Sequence, residues 1–224
     1  MKRIAFLGYN RNETKLIKEI DKANSQWKVT HYTKKVSFRE LKKFDTIISF
    51  GYRHKIDSVT IKKLIRPIIN LHIGYLPYNR GSHPNFWSFV ENTKSGVTIH
   101  CTDESIDTGK IIYQKQIDFD LIQNRKKLSF SSTYNILIKE IEKLFLDNID
   151  NLINHKYKSF EQIGKGTFHN NKDLPPILKK WNQNIFQTVK KIEKNKKLKM
   201  KKRLSIIDEI ESTRKNNNIN WMNI

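Results

Sequence analysis

The chain has 224 residues, with 43 Lys and Arg against 22 Asp and Glu, a formal net charge of +21, and one cysteine, Cys101. This length suits one sizeable domain with an appendage or two small ones; a single cysteine excludes an internal disulfide framework; and no apolar run approaches the roughly 18–20 residues of a membrane span. The opening MKRIAFLGYNR is too short in its apolar part for a signal peptide, and with the lone cysteine it predicts a cytoplasmic location and no membrane partner.

RIAFLGY (3–9) is a short apolar run of buried-strand type. Residues 12–23 carry apolar positions at helical spacing, with Asn12 or Thr14 as candidate N-caps. WKVTHYT (27–33) alternates as a strand does, a short helix follows over 36–43, and DTIISFGY (45–52) is a second buried strand. Residues 57–65 predict a helix and RPIINLHI (66–73) a fourth strand. Strand–helix alternation at this rhythm predicts an α/β fold whose mostly parallel sheet has helices on both faces, with a small C-terminal α/β appendage and a helical tail. The first loop, FLGYNRN, holds one glycine where a dinucleotide fingerprint needs about three, so Gly8 reads as a tight turn. Tyr9, Asn10 and Arg11 beside it either face an anion at the helix N-terminus or are ordinary loop residues.

After Ile73 the pattern changes. A loop leads to PNFWSFVEN (84–92), a helix with Pro in its first turn. GVTIHCT (96–102) and KIIYQKQIDF (110–119) read as strands separated by DESIDTG. Residues 129–155 predict one long amphipathic helix, with Leu137, Ile141, Leu144 and Phe145 on or near one face. FEQIGKGTFHNNKDLPPIL (160–178) has the Gly and Pro punctuation of an irregular substructure, and a basic helix follows from 180. The apolar residues Leu204, Ile207 and Ile210 and then Trp221 suit docking on the core or on a second subunit. The resulting division is a domain over 1–155 and an appendage with a basic tail over 156–224.

The charge is uneven. Nine of the fourteen residues 190–203 are Lys or Arg, and only Glu193 among them is acidic. Nucleic acid is the first partner such a balance suggests. A solvated surface, or a positive field for a small anion, ranks ahead of it, because the chain is rich in Lys, Ile and Asn throughout.

Three polar residues stand at the ends of predicted strands: Asn70 and His72 on the fourth, and Asp107 in the DESIDTG turn. In an open α/β sheet, sites form outside the carboxyl ends of strands. Residues two apart in an extended chain point the same way, so Asn70 and His72 can face one point. Asp107 can hydrogen-bond the imidazole and set its tautomer or raise its pKa. The trio lacks a nucleophile elbow and is a poor zinc set, so no metal is expected. It retains an Asn N–H for an oxyanion and a His able to act as general base or electrostatic stabiliser, which suits direct acyl transfer. A purely structural His72 remains open on geometry alone.

The motifs narrow this. NLH (70–72), LPYNRG (76–81) and DESIDTG (103–109), with 35 residues from His72 to Asp107, resemble the formyltransferase family that uses 10-formyltetrahydrofolate. GVTIH before the turn and GTFHNNKDL (166–174) resemble further segments of that family, and together these cover roughly residues 1–178. The resemblance implies a Rossmann-like formyltransferase fold. It implies a primary amine attacking the formyl carbon, with Asn70 and His72 stabilising the charge and His72 with Asp107 handling the proton. The pterin would lie against Ser49, Phe50, Gly51 and Tyr52 and against the loop of Asp103 and Ile106, with His100 and Thr98 near the site. Tyr9, Asn10, Arg11, Tyr75, Arg80 and Trp87 are the candidates for the amine substrate.

Three branches differ in that amine. Glycinamide ribonucleotide formyltransferases carry a glycine-rich loop that FLGYNRN lacks. Methionyl-tRNA formyltransferases add a β-barrel domain, whereas about fifty residues follow Leu174 here, largely helical and Lys-rich. Enzymes of nucleotide-linked amino sugars have loops resembling PYNRGSHPNFWSF and a helix resembling 128–145. The expectation is therefore N-formylation of a dideoxyamino sugar on a nucleoside diphosphate, dTDP in the first instance, for surface polysaccharide such as O-antigen. A homodimer through the region after residue 155 is expected. The alternatives are a methionyl-tRNA formyltransferase-like enzyme and a basic RNA-binding protein with a relict site.

Overall fold

The computed structural model describes residues 1–122 and 125–216. β1 (Lys2–Gly8) buries Ile4, Ala5, Phe6 and Leu7 in succession, as a strand covered on both faces must. Alternation sends Ile4 and Phe6 to one core and Ala5 and Leu7 to a smaller one behind the sheet. The chain turns through 10–14, where the Glu13 and Thr14 amides both donate to the Asn10 carbonyl, and enters α1 (Leu16–Ala23).

Asn12 does not cap this helix, whereas Thr14 Oγ1 accepts from its first amide, Leu16 N–H, at 3.2 Å from one position before the N-cap. Lys15 holds the N-cap position without a side-chain hydrogen bond. A distant carboxylate takes over instead: buried Glu142 accepts from Thr14 Oγ1 at 2.6 Å and from the Lys15 amide at 3.2 Å. A negative group at a helix N-terminus answers its unpaired N–H groups as a local cap would.

β2 (Trp27–Tyr32), α2 (Phe38–Leu41), β3 (Thr46–Phe50), α3 (Ser58–Lys63) and β4 (Ile69–His72) follow. Ser37 and Glu40 form a capping box on α2, and Asp57 caps α3 through the Thr60 amide at 2.8 Å. Then come the two-residue β5 (Arg80–Gly81), α4 (Pro84–Val90), β6 (Gly96–Cys101) and β7 (Ile111–Gln116). The sheet order is β2-β1-β3-β4-β6-β7. The first four strands pair in parallel, while β6 runs antiparallel to both β4 and β7. The sheet is therefore mostly rather than wholly parallel, because the 102–110 loop is too short for a crossover and makes a hairpin.

α5 (Phe119–Ile122) leads to α6 (Phe130–Asp147) and α7 (Ile149–Ile153). The single helix expected over 129–155 breaks at Asn148 (φ −123°, ψ 15°), whose side-chain amide takes the Leu144 carbonyl at 2.9 Å. Such side-chain competition for backbone groups is why Asn is poor in helix interiors. The break lets Leu152 and Ile153 reach the core.

Beyond 155 the chain packs back on the sheet. Phe160 bridges Ile111, and β8 (Phe168–His169) pairs in parallel with β5. α8 (Ile185–Asn216) buries Ile185 and Ile192 in the same core as Phe130 and Phe145. Trp221 lies outside the described residues. No helix among the described residues is long and apolar enough to cross a membrane.

Candidate active site

Strand register assembles the centre. Antiparallel pairing sets Asn70 opposite His100 and His72 opposite Thr98. Asn70 and His72 share a face, so both meet Asp107 as it returns from the loop after β6. Asp107 has a left-handed backbone (φ 57°), a conformation that Asp tolerates better than most residues. Its Oδ2 accepts from the Gly81 amide at 2.9 Å and lies 3.4 Å from His72 Nδ1. Its Oδ1 accepts from Asn70 Nδ2 at 3.2 Å and lies 3.4 Å from His100 Nε2.

Burial pushes the Asp107 carboxyl up, but His72, His100 and the Gly81 amide together hold it well below the usual carboxylate range. Burial also pushes the His72 imidazole down, and the pull of Asp107 the other way does not overcome it. Asp107 does pull the imidazole up, as expected, but a 7 % exposed ring loses more by desolvation than one carboxylate returns, so the net direction is down. Both ring nitrogens of His72 face acceptors, Nδ1 the Asp107 Oδ2 at 3.4 Å and Nε2 the Asn79 carbonyl at 3.3 Å; a neutral ring carries its proton on one of them, and only the Nδ1–H tautomer leaves Nε2 as a base.

His100 Nδ1 faces the Cys101 carbonyl at 2.8 Å and so carries the proton; its Nε2 accepts from Asn70 Nδ2 at 3.0 Å. Both Nδ2 hydrogens of Asn70 are therefore taken, by His100 and Asp107. To serve a substrate oxygen, Asn70 must release one of them.

A further layer holds Asp107. Gln162 Nε2 donates to the Asp107 and Gly109 carbonyls, each at 2.8 Å. Gln162 Oε1 accepts from Arg80 Nε at 3.0 Å and Nη2 at 2.7 Å. Thr98 is fully buried and ties the Gly74 carbonyl and the Leu76 amide, so it braces the loop and does not face the centre.

The centre opens on a cavity of about 1030 Å³. Among the expected residues, Tyr9, Ser49, Phe50, Gly51 and Tyr52 line it on one side, and Asp103, Ile106 and His100 on another. Five expected substrate contacts do not line it. Asn10 closes its own turn, and Arg11 pairs with Asp21 at 2.9 Å on the surface. Tyr75 sits under the Lys94 ammonium, 5.4 Å from its ring centre. Arg80 is engaged by Gln162. Trp87 stacks on His169 from behind the wall, with ring centres 3.9 Å apart and 8° between planes. Arg80 is thus turned to Gln162, Trp87 to His169 and Arg11 to Asp21, and none of the three lines the cavity.

Other lining residues were not anticipated. Arg53 and Lys55, either side of His54, bring positive charge to the rim immediately after Tyr52, a signal present in the sequence as RHK. Tyr134, hydrogen-bonded to Tyr9 through hydroxyls 2.7 Å apart, joins them, and Arg53 acts on its phenol. Trp181 stacks with His83 at the far wall, 5.0 Å between ring centres. A lone Trp in a connecting segment carries no sequence signal of this placement.

The arrangement supplies a basic imidazole nitrogen, an amide donor and a carboxylate that fixes both, at the floor of a cleft. Its volume lies at the upper end of the roughly 300–1,000 Å³ of ligand pockets.

A family model described as "Formyl transferase" matches residues 2–131. The chain is 28% identical over 137 residues to the dTDP-4-amino-4,6-dideoxyglucose formyltransferase of Mycobacterium tuberculosis, covering 61% of this chain and 56% of that protein. It is 36% identical over 105 residues to the methionyl-tRNA formyltransferase of Thermodesulfovibrio yellowstonii, covering 45% and 33%. The crystal structure of a formyltransferase from Anoxybacillus kamchatkensis, in complex with UDP-4,6-dideoxy-4-formamido-L-AltNAc and tetrahydrofolate, superposes with a TM-score of 0.74. That structure is 32% identical and covers 84% of this chain and 97% of its own. The chain spans little more than half the length of the first of these curated relatives.

Proposed function

Because the chain belongs to the formyltransferase family, we propose that it is a folate-dependent N-formyltransferase whose acceptor is the primary amine of a nucleotide-linked dideoxyamino sugar. The observation that carries this is the convergence of Asn70, His72 and Asp107 at the floor of a cleft of about 1030 Å³. 10-Formyltetrahydrofolate supplies the formyl carbon. The flat wall formed by Ser49–Tyr52 and the Thr102–Ile106 loop fits a pterin, with exposed Ile106 as an apolar cover. His72 Nε2 takes the proton that the amine loses and passes it to N10 of the folate as the formyl C–N10 bond breaks and tetrahydrofolate leaves, while Asp107 fixes the ring through Nδ1. Asn70 turns one Nδ2–H toward the formyl oxygen as negative charge develops there. No step calls for a metal.

The amine substrate occupies the other arm of the cleft. Arg53 and Lys55 suit a diphosphate, and the Trp181–His83 pair offers a base a stacking surface. The Anoxybacillus neighbour, bound to a UDP-linked 4-formamido sugar, supports a pyrimidine nucleotide, UDP or dTDP. The machinery of 1–155 and the appendage 156–224 act together in this reading, which includes a cytoplasmic location, a homodimer and a role in surface polysaccharide synthesis.

The test is formyl transfer from 10-formyltetrahydrofolate to a panel of UDP-, dTDP- and GDP-linked 3- and 4-amino sugars, beside initiator methionyl-tRNA. Turnover on at least one amino sugar, abolished in His72→Ala, is expected. Turnover on the tRNA alone, or full activity in His72→Ala, would refute the proposal.

A further inference from the structure

The catalytic cleft lies at the carboxyl ends of the parallel strands. A second cavity, of about 910 Å³, opens at their amino ends. The starts of β1, β2 and β3 and the approach to β4 frame it, with the ends of α2, α3 and α7 around them. Its walls are lopsided in charge: Lys2, Arg3, Lys42, Lys63 and Arg66 stand against one carboxylate, Asp45. Two of these cations are engaged. Arg3 Nε lies 3.7 Å from Asp45 Oδ2, and Lys2 Nζ donates to Asn154 Oδ1 at 2.6 Å and to the Ile153 carbonyl at 3.2 Å. Lys42, Lys63 and Arg66 form no ion pair with a carboxylate among the described residues. The neighbouring Lys62 does, with Glu104 at 2.9 Å, but it does not line the cavity.

A lysine at a helix C-terminus ordinarily answers the helix dipole, worth about half a unit charge. Lys42 follows α2 and Lys63 closes α3, so that role takes up part of their charge, and these helices have only four and six residues. It takes up none of Arg66, which stands beyond the α3 C-cap, Leu64. The surplus acts on its surroundings. His155 lines the same cavity, with Nε2 3.1 Å from both the Asp45 carbonyl and Thr46 Oγ1. Burial pushes its imidazole down, and the charges of Arg66 and Lys2 push it further against the pull of the Asp45 carbonyl.

We propose that this cavity binds a compact polyphosphate anion, free or carried by a nucleotide, with Lys42, Lys63 and Arg66 as its ligands. The planar fork of Arg66 can hold two oxygens of one phosphate, while the lysines act as point charges. Three uncommitted cations call for more than the roughly two charges of a single phosphate. Half-buried Phe38 and Phe44 line the same cavity and offer a base a surface when the anion carries one. The sheet stands between this site and Asn70, His72 and Asp107, so the anion does not compete with either co-substrate. The inference does not depend on the chemistry of the cleft.

Calorimetric titration of the full chain with sodium tripolyphosphate, at about 0.15 M salt, tests it. One equivalent is expected to bind, and the His155 ring signals in NMR should then titrate about half a pH unit higher. Lys63→Ser/Arg66→Ser should weaken binding by about tenfold or more with an unchanged melting temperature, since both side chains are exposed. Arg53→Ser/Lys55→Ser, at the rim of the cleft, should leave it intact. ATP is titrated into this second variant, where the cleft competes least. Equal affinity for the two anions marks inorganic polyphosphate as sufficient, and tighter ATP adds a base on Phe38 and Phe44; both support the site. Absence of binding at millimolar anion would overturn the proposal. So would several weak equivalents per chain with His155 unmoved, or binding that survives Lys63→Ser/Arg66→Ser and is lost in Arg53→Ser/Lys55→Ser.

Discussion

Replacing Asp107 by Asn keeps the side chain's shape while removing its charge and one of two acceptor oxygens. The carboxylate accepts from the Gly81 amide and from Asn70 Nδ2, one on each oxygen. Whichever way the new amide turns, its NH2 group confronts one of those donors. An unsatisfied buried donor costs about 1–3 kcal/mol, and for a chain of this size each kcal/mol lowers the melting temperature by about 2–4 °C. Catalysis should suffer more. The Asn cannot hold a proton on His72 Nδ1 when its NH2 faces the ring, and the two tautomers of His72 then compete. Loss of such a fixed acceptor costs about 100- to 10,000-fold in turnover in comparable imidazole-dependent sites. The assay is tetrahydrofolate release under saturating donor and acceptor, alongside thermal melts from pH 3 to 8. The pH dependence carries its own sign. Asp107 is depressed in the folded state, so its stabilisation is complete above the unfolded value near 3.9 and lost as pH falls. Wild type should therefore lose melting temperature on acidification below about pH 4 more steeply than Asp107→Asn. A variant within about fivefold of wild-type kcat, or one with equal acid sensitivity, would refute the role assigned to this carboxylate.

His72 is depressed by burial, so activity should be full at neutral pH and fall on acidification only below the ordinary histidine value of about 6.5. Stability should fall over the same range, because the unfolded ring takes up its proton first, and His72→Gln should flatten both profiles. Arg80→Ala frees Gln162 and loosens Asp107 from behind. It should lower kcat by about tenfold and leave KM for the nucleotide sugar unchanged, whereas a pure rise in KM would mean direct substrate contact. Trp181→Ala removes the stacking surface at the far wall and should raise KM for the nucleotide sugar by about 5- to 100-fold, with kcat and folate KM preserved; an unchanged KM would move the base elsewhere.

The strands and the convergence of Asn70, His72 and Asp107 were legible for physical reasons. Buried strands announce themselves as apolar runs, and NLH with DESIDTG stands at strand ends where an α/β sheet presents its sites. The helix breaks and caps were not. Asn148 stops a helix through one side-chain hydrogen bond, and Glu142 caps another from 126 residues beyond Leu16, a pairing that no local pattern encodes. The walls of the cleft divide likewise. Ser49–Tyr52 follow directly from a strand end, whereas Trp181 arrives through the return of the chain after 155. Arg80 and Trp87 show the opposite failure: they stand beside the motif in sequence but turn away from the cleft, toward Gln162 and His169.

Gln162 reaches Asp107 across 55 residues of chain. During synthesis the ribosome has therefore delivered the whole sheet, with Asn70, His72 and Asp107 all in place, well before the residue that pins the Asp107 backbone has emerged. The nascent chain can bury its core at that stage, yet its left-handed Asp107 has no brace. Competence arrives as a late, separate event when 160–169 closes over the loop. A chain shortened just before Phe160 should then keep the six-stranded sheet, lose the β8 and α8 contribution to its secondary structure, and show almost none of the parent's turnover.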